Sequence, residues 1–526
     1  METESSFWKG RPAVHWLALL GLVLLFIVLR WNSCTAPLMR DEGEYAYAAQ
    51  LLIHGVMPYD HAFIQKPPMV IYSYALAGLL WPDAFWGPRL LGYVFVALAT
   101  VLLGHIARLE FGKGFALPAM ALATPMILLP GLDQFPANTE MFLLLPLLAT
   151  FAMYVQARHH GQKTKYWLAA GFLGVTTLCF KYTALPLIGL VFAVWSVELW
   201  RQTRDARICR KNLLVAFCGG GLAMVLELGL FLAHDGGSRL WECTVQFNRL
   251  YVQSNTFNLA HLWSMTRTFW SNWWILFFLP WAIFLRPVAR SGFWLATWLC
   301  AVLATSASGY GQYYVPLMPF WALLTAVGIR QLAAWLAEWP ATAGRWMGGL
   351  VTVLVLILLL RPDVPWLTCT RERFVQVKMD GFPFAASPIV ARRVAELSGP
   401  DDFVYVAGSE PQILCYANRF SPTRFITAYA LMIPTAVTGQ YQREAMSELV
   451  QHPPKLVVYT LIGNSWLRQK RTPPEFMNFL DEWLEKNYVL VGGYVPAIMD
   501  GGWVEPLPAN QMAYANLLLF QRKPQP

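Results

Sequence analysis

The sequence predicts a polytopic α-helical membrane protein with about 11 transmembrane helices, followed by a C-terminal extracytoplasmic α/β domain. Three observations predict it. Of 526 residues, 56% are hydrophobic and only 13% charged, whereas a soluble domain carries about a quarter charged residues. Apolar runs close to bilayer-spanning length recur up to residue 360 with short separators between them. Past Arg361 the hydropathy falls, and strand-like runs alternate with amphipathic helical stretches. An ordinary cytosolic enzyme, a disordered chain, a collagen and a coiled coil are excluded on the same grounds. The eight Cys contain no Cys-x-x-Cys spacing, so neither a zinc framework nor a disulfide scaffold is indicated.

The first apolar run, 13–29, follows Lys9 and Arg11, and the residues from Arg30 to Cys34 offer no small-residue cleavage site. It is expected to be an uncleaved anchor with a cytoplasmic N-terminus. A polar segment, 32–88, separates it from spans near 89–109, 115–131, 139–157, 166–180, 184–200, 212–233, 273–285, 293–307, 315–335 and 346–360. With strict alternation the basic loops, which contain Arg108 and Lys113, Arg158 and Lys163, Arg201 to Lys211, Arg286 and Arg290, and Arg345, all fall on one side. The net charge of +9 is then a topology signal and gives no warrant for nucleic acid. The run 69–81 is about 13 residues, too short to span, and is expected to be re-entrant or interfacial on the outer face. The domain division is therefore 1–360, with its outer loop 32–88, and 361–526. In the latter, strands are expected at 403–407, 456–461, 488–492 and 517–521, and helices at 389–397, 443–450 and 475–486.

Polar residues gather in the outer loops. The first contains Arg40-Asp41-Glu42-Gly43-Glu44-Tyr45, Pro58-Tyr59-Asp60 and Lys66-Pro67-Pro68. Asp41 is a good N-cap with Glu44 at N3, which explains two acids but leaves Glu42 and the proline-fixed Lys66 to chemistry. The second runs from Asp133 through Asn138 to Glu140 at a helix start, and the third from Ser308 through Gln312, Tyr313 and Tyr314 to Pro316. Carboxylates at one membrane depth can share a divalent metal or activate a hydroxyl. Within the spans, Glu227 is the clearest acid, expected to be protonated or locally paired. Ser409 is expected to cap a helix. Cys34, Cys243, Cys369 and Cys415 fall on the oxidising side and could pair.

Taken together, Arg40-Asp41-Glu42-Gly43-Glu44-Tyr45, Pro58-Tyr59, Lys66-Pro67-Pro68, Ala137-Asn138-x-Glu140 and Tyr313-Tyr314-Val315-Pro316-Leu317-x-Pro319 resemble the GT-C glycosyltransferases. More narrowly, the chain resembles the bacterial branch related to protein O-mannosyltransferases, lipid A aminoarabinose transferases and lipopolysaccharide galacturonic acid transferases, over roughly residues 13–335. The resemblance implies a bacterial inner-membrane enzyme that takes a sugar from a polyprenyl-phosphate donor and passes it to a lipid, glycan or protein acceptor of the envelope. It assigns catalysis to Asp41, with Glu42 and Glu140, and donor-phosphate binding to Lys66, Arg40 and Arg89. Lys181 is a further phosphate candidate or a snorkelling residue. The pocket is implied at Tyr45, Tyr59, Asn138, Gln312, Tyr313 and Tyr314, and a divalent ion (Mg, Mn, Ca or Zn) at Asp41 and Glu140. Gln312 departs from relatives that carry His before the Tyr pair, which weakens a metal or acid role there. The competing expectation is a transporter or flippase, which would place ionisable groups near the midplane instead of the rim.

Overall fold

The computed structural model describes residues 12–129, 135–234, 236–254, 259–285, 290–305, 310–336, 344–379, 381–496 and 502–524. Lys9, Arg11, Asp133, Gln134, Arg286, Ser308 and Gly309 lie outside them. The chain divides into two compact units: residues 1–34, 89–227 and 257–370 in one, and residues 35–88, 228–256 and 371–526 in the other.

The first unit is helical. Among the described residues, six helices are long and apolar enough to cross a membrane: Gly87–Phe111, Thr139–His159, Tyr182–Thr203, Ala206–Ala233, Gly311–Leu336 and Met347–Thr368. Shorter apolar helices include Leu20–Arg30, Lys113–Leu128 and Ser291–Thr305. Helices apolar on every face differ in how much protein covers them. Thr139–His159 has 78% of its apolar window buried against 28% for Ala206–Ala233, so the helix that begins with Glu140 is central and the other peripheral.

The expected span 273–285 is not a continuous helix. Leu259–Trp273 ends where Trp273 leaves helical dihedrals, and the chain continues as two 3-10 segments, Trp274–Phe277 and Leu279–Phe284. Pro280 lacks an amide donor, so the interruption persists, and Trp321 Nε1 donates to the Leu276 carbonyl at 2.9 Å. Irregular backbone amid apolar helices needs such a partner. Two arginines of the basic loops are also engaged locally. Arg158 reaches Glu110 at 2.5 Å, Arg290 pairs with Glu198, and Trp294 Nε1 donates to Glu110 at 3.1 Å. Their charge is balanced by acids that hydropathy alone does not bring together. Glu227 accepts from Thr176 Oγ1 at 2.5 Å, in keeping with local pairing.

The second unit holds a five-stranded sheet of order β1-β2-β5-β3-β4, with β1 (Val404–Ala407), β2 (Leu456–Thr460), β3 (Tyr488–Tyr494), β4 (Trp503–Val504) and β5 (Leu517–Arg522). β1 and β2 are parallel and the remaining pairs antiparallel. β1 is buried at every position, as its unbroken apolar sequence requires. Ser387–Leu397, Thr438–Gln451 and Glu475–Asn487 are the main helices around it. The first-loop segment 35–88 clusters with this unit. Leu38 N donates to Tyr416 Oη at 2.7 Å, Ser421 N to Tyr47 Oη at 2.9 Å, and Gln50 Nε2 to the Cys415 carbonyl at 3.1 Å. Helical periodicity shows that a loop has an apolar face but does not name what covers it. All eight cysteines are free thiols.

Candidate active site

The first-loop helix is Arg40–Ile53, and its N-cap is Met39, not Asp41. Glu42 therefore occupies N3, is fully buried, and its Oε2 accepts from the Met39 amide at 3.0 Å. This reverses the expected assignment: Glu42 satisfies the helix end, while Asp41 and Glu44 are left to other work. Asp41 in the first turn is partly exposed. Glu44, one turn further on, is buried and accepts from Tyr429 Oη at 2.9 Å. Burial, and then the nearby Asp41 charge, push the Glu44 carboxyl up to about 8, opposed by Lys66, Tyr429 and Arg40. Asp41, Glu44 and Lys66 thus form one electrostatic group.

The backbone around Lys66 is pinned from two directions. Tyr59 Oη donates to the Lys66 carbonyl at 2.8 Å, and Asn248 Nδ2 to the Gln65 carbonyl at 2.8 Å. Lys66 itself is half-buried. Tyr45 and Tyr59, expected in the pocket, are core rings: Tyr45 packs edge-to-face on Tyr74 at 5.5 Å and Tyr59 on Phe231 at 5.1 Å. Arg40 donates from Nε to the Ser409 carbonyl at 3.0 Å and from Nη2 to the Asn464 carbonyl at 3.1 Å, so its fork is engaged by protein. Ser409 is not a helix cap, because Pro411 takes the N-cap position of Gln412–Ala417.

In the other unit, Glu140 opens Thr139–His159 and pairs with Lys181, which ends Thr164–Phe180. Both are buried, and the Lys181 ammonium sits 3.2 Å from the centroid of the Tyr313 ring. Lys181 is therefore an ion-pair partner and not a snorkelling residue. Asn138 is the N-cap residue without a side-chain capping bond, and its buried Oδ1 has no partner among the described residues. Gln312 and Tyr313 are partly exposed on the 3-10 segment Gly311–Leu317, while Tyr314 is buried against Phe269 at 5.2 Å. Arg89 is buried and donates to the Ser33 carbonyl at 2.8 Å, closing the end of Pro12–Arg30. That bond is a structural task.

Among the described residues no three His, Cys, Asp or Glu side chains gather as a metal-ligand set, and Glu140 has its countercharge in Lys181. Sequence reasoning missed Tyr429, nearly four hundred residues from Glu44. No local pattern could have signalled that contact.

The sequence model of the dolichyl-phosphate-mannose-protein mannosyltransferase family matches residues 65–224. No curated protein sequence matches the chain. Among solved structures, apo ArnT from Cupriavidus metallidurans is 16% identical, with 97% of this chain and 98% of that one covered and a TM-score of 0.60. The same protein bound to undecaprenyl phosphate gives 16% identity, the same coverage and a TM-score of 0.54. The Archaeoglobus fulgidus oligosaccharyltransferase tethered to an acceptor peptide is 13% identical over 95% of this chain and 75% of that one, with a TM-score of 0.52. Over nearly its whole length the chain thus shares its fold with ArnT and with the archaeal oligosaccharyltransferase, and residues 65–224 match the mannosyltransferase family model.

Proposed function

We propose that the protein transfers a sugar from a polyprenyl-phosphate donor to a hydroxyl of a cell-envelope acceptor, at the outer face of the bacterial cytoplasmic membrane. The observation that carries this reading is the first-loop group: a partly exposed Asp41 near a buried Glu44 that holds its proton near neutral pH, with Lys66 close enough to Glu44 to oppose that shift. A structural relative bound to undecaprenyl phosphate supports the donor class, and an oligosaccharyltransferase tethered with an acceptor peptide supports transfer to an acceptor.

In the proposed step the acceptor oxygen attacks the anomeric carbon, the bond from that carbon to the phosphate oxygen breaks, and its electron pair leaves on the lipid phosphate. Asp41 takes the hydroxyl proton, and the Lys66 ammonium offsets charge developing on phosphate. A positioned base contributes about 10²–10⁴-fold. Attack from the face opposite the leaving phosphate inverts the anomeric centre. On this reading the basic loops and the N-terminus are cytoplasmic and the sheet unit is extracytoplasmic. The transporter reading loses support because its clearest membrane acid, Glu227, is held by Thr176.

The test is purified protein incubated with radiolabelled polyprenyl-phosphate sugars and an acceptor membrane extract, with and without divalent ion. Label leaving the donor with release of free polyprenyl phosphate supports the reading. Vesicle reconstitution that moves intact donor across the bilayer without cleaving it would contradict it.

A further inference from the structure

The second unit contains a buried charge contact that the proposed chemistry does not use. β1 ends at Ala407, and the chain turns through Gly408, Ser409 and Glu410 before Gln412–Ala417. Glu410 is fully buried. Its Oε2 accepts from the Ser409 amide at 2.9 Å, from Thr460 Oγ1 at 2.6 Å and from Ser465 Oγ at 2.6 Å. Three donors from two strand ends and a turn fix the plane of the carboxylate. Its Oε1 has no hydrogen-bond partner among the described residues and lies 3.9 Å from Arg40 Nη2. A Cβ on Gly408 would fall 2.5 Å from Thr460 Oγ1 and 2.6 Å from Glu410 Oε2, so the turn admits no side chain where the acid is seated.

Arg40 immediately precedes Asp41 and is clamped by the Ser409 and Asn464 carbonyls as well as by this charge. One turn further, a Cβ on Gly43 would lie 2.6 Å from the Gln412 backbone nitrogen, so the helix backbone rests directly on the start of Gln412–Ala417. A buried carboxylate is costly unless a cation and hydrogen bonds answer it. Here the cation comes from the first turn of the helix that presents Asp41, so stabilising the acid also fixes that turn.

We propose that Glu410 is a positioning residue for sugar transfer, acting through Arg40 to hold the first turn of Arg40–Ile53 where Asp41 meets the acceptor hydroxyl. The inference rests on the Asp41 reading, and it gives the sheet domain a catalytic purpose: it sets the geometry of the base. Arg40 is then part of the support and not a phosphate ligand.

The experiment uses full-length Glu410→Gln, Arg40→Gln, the double variant, Arg40→Lys and Asp41→Asn, with kcat, donor KM and thermal midpoint read for each. Misplacement by about 1 Å can cost about 10²-fold in rate. Each single variant is expected to lower kcat by about 10- to 100-fold with little change in donor KM. The double variant is expected to lose no more than the worse single, since both remove one contact. Arg40→Lys keeps the charge but not the fork and should recover part of kcat. Losses that multiply in the double variant, or a raised KM with kcat intact, would overturn the proposal. If Glu410→Gln does not fold, Ser465→Ala, which removes one donor to the carboxylate and leaves the ion pair, is read by the same split. An inactive Asp41→Asn beside an unimpaired Glu410→Gln overturns this inference alone. An active Asp41→Asn overturns it together with the proposed base.

Discussion

Glu44 shows how one side chain's environment sets its part in the chemistry. Its carboxyl is held near pKa 8 by burial first and by Asp41 second. The unfolded chain would release this proton near the ordinary value of 4.5. The neutral carboxyl's contribution to stability is therefore complete below about pH 4.5 and is lost as pH rises through about 8. A Glu44→Gln variant cannot titrate, so its stability relative to wild type should rise across that window. Denaturation in detergent at several pH values measures it, and parallel curves for the two proteins would contradict the assignment. The groups that answer Glu44, namely Asp41, Arg40, Lys66 and Tyr429, come from one helix, one loop and one distant turn. The sequence places the first three close together in the chain, with Asp41 and Lys66 legible as polar residues outside the apolar runs and Glu140 as an acid at the start of one. Tyr429 and Lys181 acquire meaning only from long-range packing.

The helix Arg40–Ile53 was legible as an element, but its first turn was not. Asp41 has better intrinsic capping chemistry than Met39, yet the chain starts the helix earlier and uses Glu42 for the reciprocal bond. The physical ground is tertiary: Leu38, Arg40 and Gly43 are each engaged by residues of 409–416 or Asn464, and those contacts fix where the turn begins. Glu42→Gln keeps an acceptor for the Met39 amide and should retain turnover near wild type. Glu42→Ala loses it and should cost about 0.5–2 kcal/mol of stability. A large loss of turnover in a folded Glu42→Gln would restore this residue to the chemistry. The segment 273–285 teaches the same point from the other side. Its apolar composition reads as a span, but hydropathy does not register a backbone broken at Trp273 and supported by Trp321.

At the scale of the whole molecule, the fold class was legible because lipid and water impose different compositions on the two parts of the chain. Four of the five strands were placed within a few residues for the same reason, since alternating and continuous apolar runs are local signals, while the two-residue β4 was too short to leave one. The unit division was not legible. Residues 35–88 and 228–256 join 371–526 across gaps of more than a hundred residues, and nothing in the periodicity of a loop names its distant partner. Deleting 371–526 removes the groups that hold Leu38, Arg40, Glu44, Tyr47 and Gln50. Such a truncation should therefore lose turnover even though Asp41 and Lys66 remain. A truncated protein that is still active would show that the first loop needs no such bed.

The central claim is that Asp41 is the base for transfer from a polyprenyl-phosphate sugar. The direct measurement compares Asp41→Asn with wild type for donor binding and for turnover in the same preparation. The account predicts donor binding close to wild type and turnover lower by about 10²–10⁴-fold, the contribution expected of a positioned base. Turnover near wild type in Asp41→Asn would contradict it.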